Sequence, residues 1–146
     1  LLQKTAAPGS APAFYEADLA TCPDLAQTVC VACAMLRRPF RLTGLRTLRI
    51  KETDRLAALQ TELRKLGRSI EIDGNDTLAY DGNAATVVPK NIIIDTYADH
   101  RMAMAFAPCA LLLPGLRIAA PEVVGKSYPD FWQHLSAFSN SPLCTF

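Results

Sequence analysis

The stretch Arg49-Ile-Lys-Glu-Thr-Asp-Arg55, continued by LAALQTELRKLG over 56–67, decides how the chain reads. Its first half carries Lys51, Glu52, Asp54 and Arg55 within five positions. Its second half places Leu56, Leu59, Leu63 and Leu66 at spacings of three and four, one face of a helix. The spacing predicts an amphipathic helix from about Thr53 to Leu66, with Gly67 as its stop. Gln60, Glu62, Arg64 and Lys65 are expected on the solvated face. A charged loop thus runs into a helix start, where unpaired backbone N–H groups and the helix dipole favour anions. Lys51 and Arg55 add two cations to that positive end, and Glu52 stands between them. A solvated, charged cap with pairs one helical turn apart explains the same residues equally simply.

Upstream, Phe40-Arg-Leu-Thr43 reads as a strand turned by Gly44, with a strand-like run on to Ile50. Before it, Thr21-Cys-Pro-Asp24 opens a helix through LAQTVCVACAML, apolar on nearly every face and expected to be buried all round. Phe14 to Ala20 reads as a short strand. Downstream, Ser69-Ile-Glu-Ile72 and Thr77-Leu-Ala-Tyr80 flank a hairpin turn, and Thr86-Val-Val88 and Asn91 to Asp95 follow as strands. Tyr97-Ala-Asp-His-Arg101 then opens a second apolar helix, broken by Pro108. A Gly-Leu-Arg strand from Gly115, a loop bearing Lys126 and a last helix over 128–138 complete the series.

The order of elements repeats. An acid at a buried-helix start, the helix, a Gly-Leu-Arg strand, a lysine loop and a second helix occur twice. Asp24 stands as far before Lys51 as Asp99 stands before Lys126. This predicts an α/β fold with two βαβα units, added hairpin strands and parallel buried helices. The expected boundaries are a linker or frayed end over 1–13, units over 14–88 and 91–139, and a frayed tail over 140–146. Parallel helices bring Asp24, Lys51, Glu52, Arg55, His100, Arg101 and Lys126 to one end, a place for one or more anions. Arg55 and Arg101 offer planar forks, and Lys51 and Lys126 point charges. Asp24 and Glu52 in that field are candidates to move protons, although each also reads as an ordinary helix-start acid.

Composition narrows the alternatives. The 146 residues suit one domain; half are apolar, and net charge is +1, so no global pull toward nucleic acid or membrane exists. Five cysteines, at 22, 30, 33, 109 and 144, lack zinc-ligand spacing and read as free thiols, which suits a cytoplasmic protein. The longest apolar run, Met102 to Leu113, is too short to span a bilayer. The first residues show no signal-peptide pattern and no initiator Met, and the start reads as the interior of a longer chain. No Walker loop, GxGxxG or Ser/His/Asp order is present.

The segments Cys22-Pro-Asp24, Arg49 to Arg55, Tyr97-Ala-Asp-His-Arg-Met-Ala-Met104 and Gly125-Lys-Ser-Tyr-Pro-Asp-Phe131 resemble, in that order, the signatures of the 5-enolpyruvylshikimate-3-phosphate (EPSP) synthase family. The resemblance covers about Asp18 to Phe138 and implies the family's inside-out domain of βαβαββ repeats, about two of which are present. It implies transfer of the enolpyruvyl group of phosphoenolpyruvate to the 5-hydroxyl of shikimate 3-phosphate, with phosphate released, on the shikimate pathway to chorismate and aromatic amino acids. The family uses no metal or organic cofactor. By resemblance Asp24 is the base and Glu52 the acid, Lys51 contacts shikimate 3-phosphate, and Arg55, Arg101 and Lys126 hold phosphoenolpyruvate beside His100. Thr47 stands where the family often has Asn. The family enzyme has two domains, so the N-terminal part is expected to be missing and the site half present. The isolated piece is expected to be inactive, and a weak anion-binding module or a silent folded piece is the alternative.

Overall fold

The computed structural model describes residues 13–85 and 89–137. Strand β1 (Tyr15–Asp18) runs parallel to β2 (Phe40–Thr43), joined by helix α1 (Ala26–Met35). Strands β3 (Glu71–Asp73) and β4 (Thr77–Tyr80) form an antiparallel hairpin on β2, giving a sheet in the order β1-β2-β4-β3. Helix α2 (Arg55–Lys65) leads into that hairpin. A second parallel pair, β5 (Ile93–Ile94) and β6 (Arg117–Ile118), flanks helix α3 (His100–Phe106), and α4 (Phe131–Ser136) ends the described chain. The chain is thus a mixed α/β protein with two parallel β-α-β crossovers and one added hairpin. The expected linker, the strand at Thr86–Val88 and the frayed tail lie outside the described residues.

The core forms between the helices and under the first sheet. Phe40 and Leu42 of β2 and Leu78 and Tyr80 of β4 point inward, each at most 3% exposed. Leu56, Leu59, Leu63 and Leu66 are all fully buried, as their helical spacing requires. α1 packs on both α2 and α3. Gly44 (φ +75°) lets the chain leave β2; a Cβ there would lie 2.6 Å from the Ala20 nitrogen and against the Asp18 carboxylate.

Several expectations change. α1 is not buried all round, because Thr28, Ala32 and Leu36 line one exposed side of a groove completed by Met104, Pro108 and Leu112. The helix begins later than Thr21: Pro23–Leu25 form a 3-10 turn, which moves the cap away from the threonine. Arg46–Ile50 is a 3-10 turn rather than a strand. Pro108 cannot donate an i−4 hydrogen bond, so α3 stops at Phe106 and continues as a 3-10 turn over Ala107–Leu111. The last helix is shorter than 128–138: α4 starts at Phe131, after Pro129, and ends at Ser136.

Cys30, Cys33 and Cys109 are buried free thiols. Burial pushes the Cys30 and Cys33 thiols up from their ordinary 9.0, and Cys109 up to about 12. The native state therefore keeps protons that the unfolded chain gives up above about pH 9, so stability is full below that pH and drains as pH rises toward the native values. Melting temperature is expected to fall from about pH 8.5 to about pH 10.5 under reducing conditions. The pair Cys30→Ala with Cys109→Ala should melt lower yet with a shallower pH slope. Parallel curves for both proteins would refute the assignment.

Candidate active site

The opening motif is shaped by local hydrogen bonds. Asp54 caps α2, its carboxylate accepting the N–H groups of Leu56 and Ala57 at 3.1 Å each. Arg49 donates to Asp54 at 2.9 Å and to the carbonyls of Asn75 and Gly74, which clips the motif to the β3–β4 turn. Lys51, Glu52 and Thr53 thereby form a bend held at both sides, and Arg55 becomes the first residue of the helix.

Arg55 is the centre of the site. It is 1% exposed, and four hydrogen bonds join its guanidinium to three carboxylates. Nε donates to Asp99 at 2.6 Å, Nη1 to Asp24 at 2.8 Å, and Nη2 to Glu52 at 2.8 Å and again to Asp99 at 3.3 Å. Burial works against the charge, but the hydrogen bond and charge of Asp99, then the charges of Glu52 and Asp24, hold the Arg55 pKa above its ordinary value. Asp99 is fully buried and also caps α3 by accepting the Arg101 N–H at 2.8 Å. One arginine thus ties the first turn before α1, the bend before α2 and the cap of α3 to a single point.

Two more cations border this point. Arg101 Nη2 lies 3.3 Å from the Asp24 carboxylate, and Nη1 donates to the Asp24 carbonyl at 3.4 Å. Lys51 Nζ lies 4.0 Å from Asp24. The carboxylates of Asp24 and Glu52 stay about half open to solvent. Three carboxylates face three cations, so the cluster is neutral by formal count. An incoming anion therefore competes with Asp24 for Arg101 and Lys51.

Of the seven residues expected at one end, the structure joins Asp24, Lys51, Glu52, Arg55 and Arg101 by ion pairs. His100 is the first residue of α3, beside Asp99 and Arg101. Lys126 is exposed at the end of a 3-10 turn (Pro121–Lys126) that packs on α3, and no ion pair among the described residues ties it to the cluster. Arg55 differs most from expectation. Rather than a fork presented to solvent, it is a buried tie with one N–H left over, on Nη1. Asp99 was legible only as a helix cap; its bond to Arg55, 44 residues away, leaves no mark in local spacing. Among the described residues no group of His, Cys, Asp and Glu is arranged to hold a metal ion, and no helix is long and apolar enough to cross a membrane.

A family profile described as EPSP synthase (3-phosphoshikimate 1-carboxyvinyltransferase) matches residues 4–135. A 3-phosphoshikimate 1-carboxyvinyltransferase of Bacteroides fragilis is 50% identical over 118 residues, which cover 81% of this chain and 28% of the relative. Proteins of the same name are 40% identical in Burkholderia multivorans, over 85% of this chain and 28% of the relative, and 37% identical in Methanospirillum hungatei, over 87% and 29%. The chain spans less than a third of the length of these curated relatives.

Proposed function

The chain belongs to the EPSP synthase family, and from that premise we propose that its full-length parent transfers the enolpyruvyl group of phosphoenolpyruvate to the 5-hydroxyl of shikimate 3-phosphate, releasing phosphate. The observation that carries this reading is the tie at Arg55, which sets two solvent-open carboxylates 2.8 Å from one guanidinium, with two further cations, Arg101 and Lys51, beside Asp24. Addition across the enol phosphate of phosphoenolpyruvate, followed by elimination of phosphate to leave an enol ether, needs such a pair. One group takes the proton of the attacking hydroxyl, and another gives a proton to the methylene carbon. Cations around the departing phosphate stabilise its charge.

In this reading Asp24 is the base and Glu52 the acid. Lys51 contacts shikimate 3-phosphate, and Arg101 and Lys126 hold phosphoenolpyruvate with His100 beside them. Arg55 keeps both carboxylates aimed, and its remaining Nη1–H is the part available to substrate. The carbon that accepts a proton from Glu52 becomes a methyl group in the tetrahedral adduct. Loss of phosphate with any of the three methyl protons restores the double bond. Turnover in deuterium oxide should therefore place deuterium on the enolpyruvyl methylene of the product. Product formed with no deuterium there would rule out the Glu52 step.

This chain alone presents one face of the site, as a candidate phosphoenolpyruvate half. Among the described residues Asp24 and Glu52 stay about half open to solvent, and exclusion of water is what a closing second part would supply. No measurable transfer is expected from it, and rates near those of the parent would contradict this. Residual affinity for inorganic phosphate should be in the millimolar range, about −4 kcal/mol, since each anion must displace an internal carboxylate. Amide shifts near residues 51–55 and 100–101 on phosphate titration at low salt test it. Unmoved resonances would mean that Arg101 and Lys51 do not yield to the anion.

A further inference from the structure

Glu62 sits two turns along α2 from Arg55 and is fully buried, although its place in the sequence pattern puts it on the polar face. The segment entering α3 covers it. Its Oε2 accepts the Asp95 N–H at 3.0 Å and lies 2.7 Å from Lys65 Nζ, and its Oε1 accepts the Tyr97 hydroxyl at 2.7 Å. Lys65 also reaches the Asp95 carboxylate at 2.8 Å and the Ile93 carbonyl at 3.1 Å. Immediately after these anchors the chain does something unusual. Tyr97 and Ala98 both take φ +55°, a left-handed conformation that residues with a Cβ adopt only against steric cost. The next residue is Asp99, delivered to Arg55, and then His100 and Arg101.

A buried carboxylate and two consecutive left-handed residues are both unfavourable on their own. Their coincidence at one turn needs a reason, and packing does not supply it, because the leucine stripe of α2 is complete without Glu62. We propose that Glu62 is a positioning residue: through the Tyr97 hydroxyl and the Asp95 amide it holds the left-handed turn in the form that sets Asp99, His100 and Arg101 in place. α2 then grips the entry to α3 twice, with Arg55 at its first turn and Glu62 at its third. The kinetic consequence rests on the proposed function; the geometric one does not.

The test uses the full-length parent chain with Tyr97→Phe, Glu62→Leu and Glu62→Gln. Phe removes one hydroxyl and little else, so it reads the brace even if the leucine variant does not fold. Gln can keep the geometry: its oxygen accepts from Asp95 and Lys65, and its amide donates to the Tyr97 oxygen, whose proton turns away. Tyr97→Phe and Glu62→Leu should raise the KM for phosphoenolpyruvate by about 5–50-fold, with the KM for shikimate 3-phosphate nearly unchanged, as small displacements of a binding group do. Glu62→Gln should stay within about threefold of wild type. Unchanged KM for phosphoenolpyruvate in both Tyr97→Phe and Glu62→Leu, however far the melting temperature falls, would overturn the proposal. Equal loss in the Gln and Leu variants would overturn its hydrogen-bond basis. If the wild-type parent shows no transfer, the functional reading fails and the brace is read by amide exchange instead. Exchange at Asp99, His100 and Arg101 in Tyr97→Phe, relative to α1, should then rise about tenfold, as for a locally freed segment; no change would overturn it.

Discussion

Arg55→Met is expected to destabilise the protein by about 3–5 kcal/mol, the cost of leaving a buried charge without its partner. The charge in question is Asp99, which is fully buried and keeps only the Arg101 N–H once the guanidinium is gone. Asp24 and Glu52 add little to this figure, since both are open enough for water to replace the lost bonds. A loss of that size lowers melting temperature by about 10 °C in a chain of this length. Arg55→Lys keeps a charge but cannot reach three carboxylates from one nitrogen, so it should fall between wild type and Met. Adding Asp99→Asn to Arg55→Met removes the stranded charge and should recover about 2 kcal/mol or more. Thermal melts on these four proteins and on Asp99→Asn alone check this, and additive losses with no recovery would mean that the pair is not coupled.

Asp24→Asn should lower the turnover number of the parent chain by about 10²–10⁴-fold, the usual worth of a positioned general base. The geometry also says what the substitution should spare. An asparagine oxygen can still accept from Arg55 Nη1, so melting temperature should change little. Its NH2 group then faces Arg101, where Asp24 now offers a carboxylate oxygen at 3.3 Å. Arg101 loses that ion pair and keeps only its bond to the residue 24 carbonyl, so the KM for phosphoenolpyruvate should hold steady or fall while turnover collapses. Steady-state kinetics beside thermal melts separate this from a purely structural role, which predicts the reverse: a lower melting temperature with turnover nearly intact.

Local pattern revealed some of this arrangement and concealed the rest. The leucines of α2, the hairpin at β3 and β4 and the break at Pro108 are each set within a few residues, by periodicity, turn chemistry and a missing N–H, and each was readable. The set of charged residues was readable for a similar reason, because helix starts gather them in predictable places. Their partners were not. Arg55 has two carboxylates from distant segments, Asp24 and Asp99, and such pairings depend on how α1, α2 and α3 pack. Glu62 misled for the same reason. Its helical phase belongs to the polar face, and only the returning segment at Asp95–Tyr97 makes that position interior. α1 misled in the opposite direction: its composition suggests burial on all sides, yet Thr28 and Ala32 are exposed.

The tie at Arg55 has meaning as chemistry only if both substrates meet there, so the direct measurement is phosphate release by the full-length parent chain. Phosphoenolpyruvate and shikimate 3-phosphate together should release phosphate, one for each enolpyruvyl group transferred, and phosphoenolpyruvate alone should release essentially none. Release that is independent of shikimate 3-phosphate, or none with both substrates present, would contradict the account.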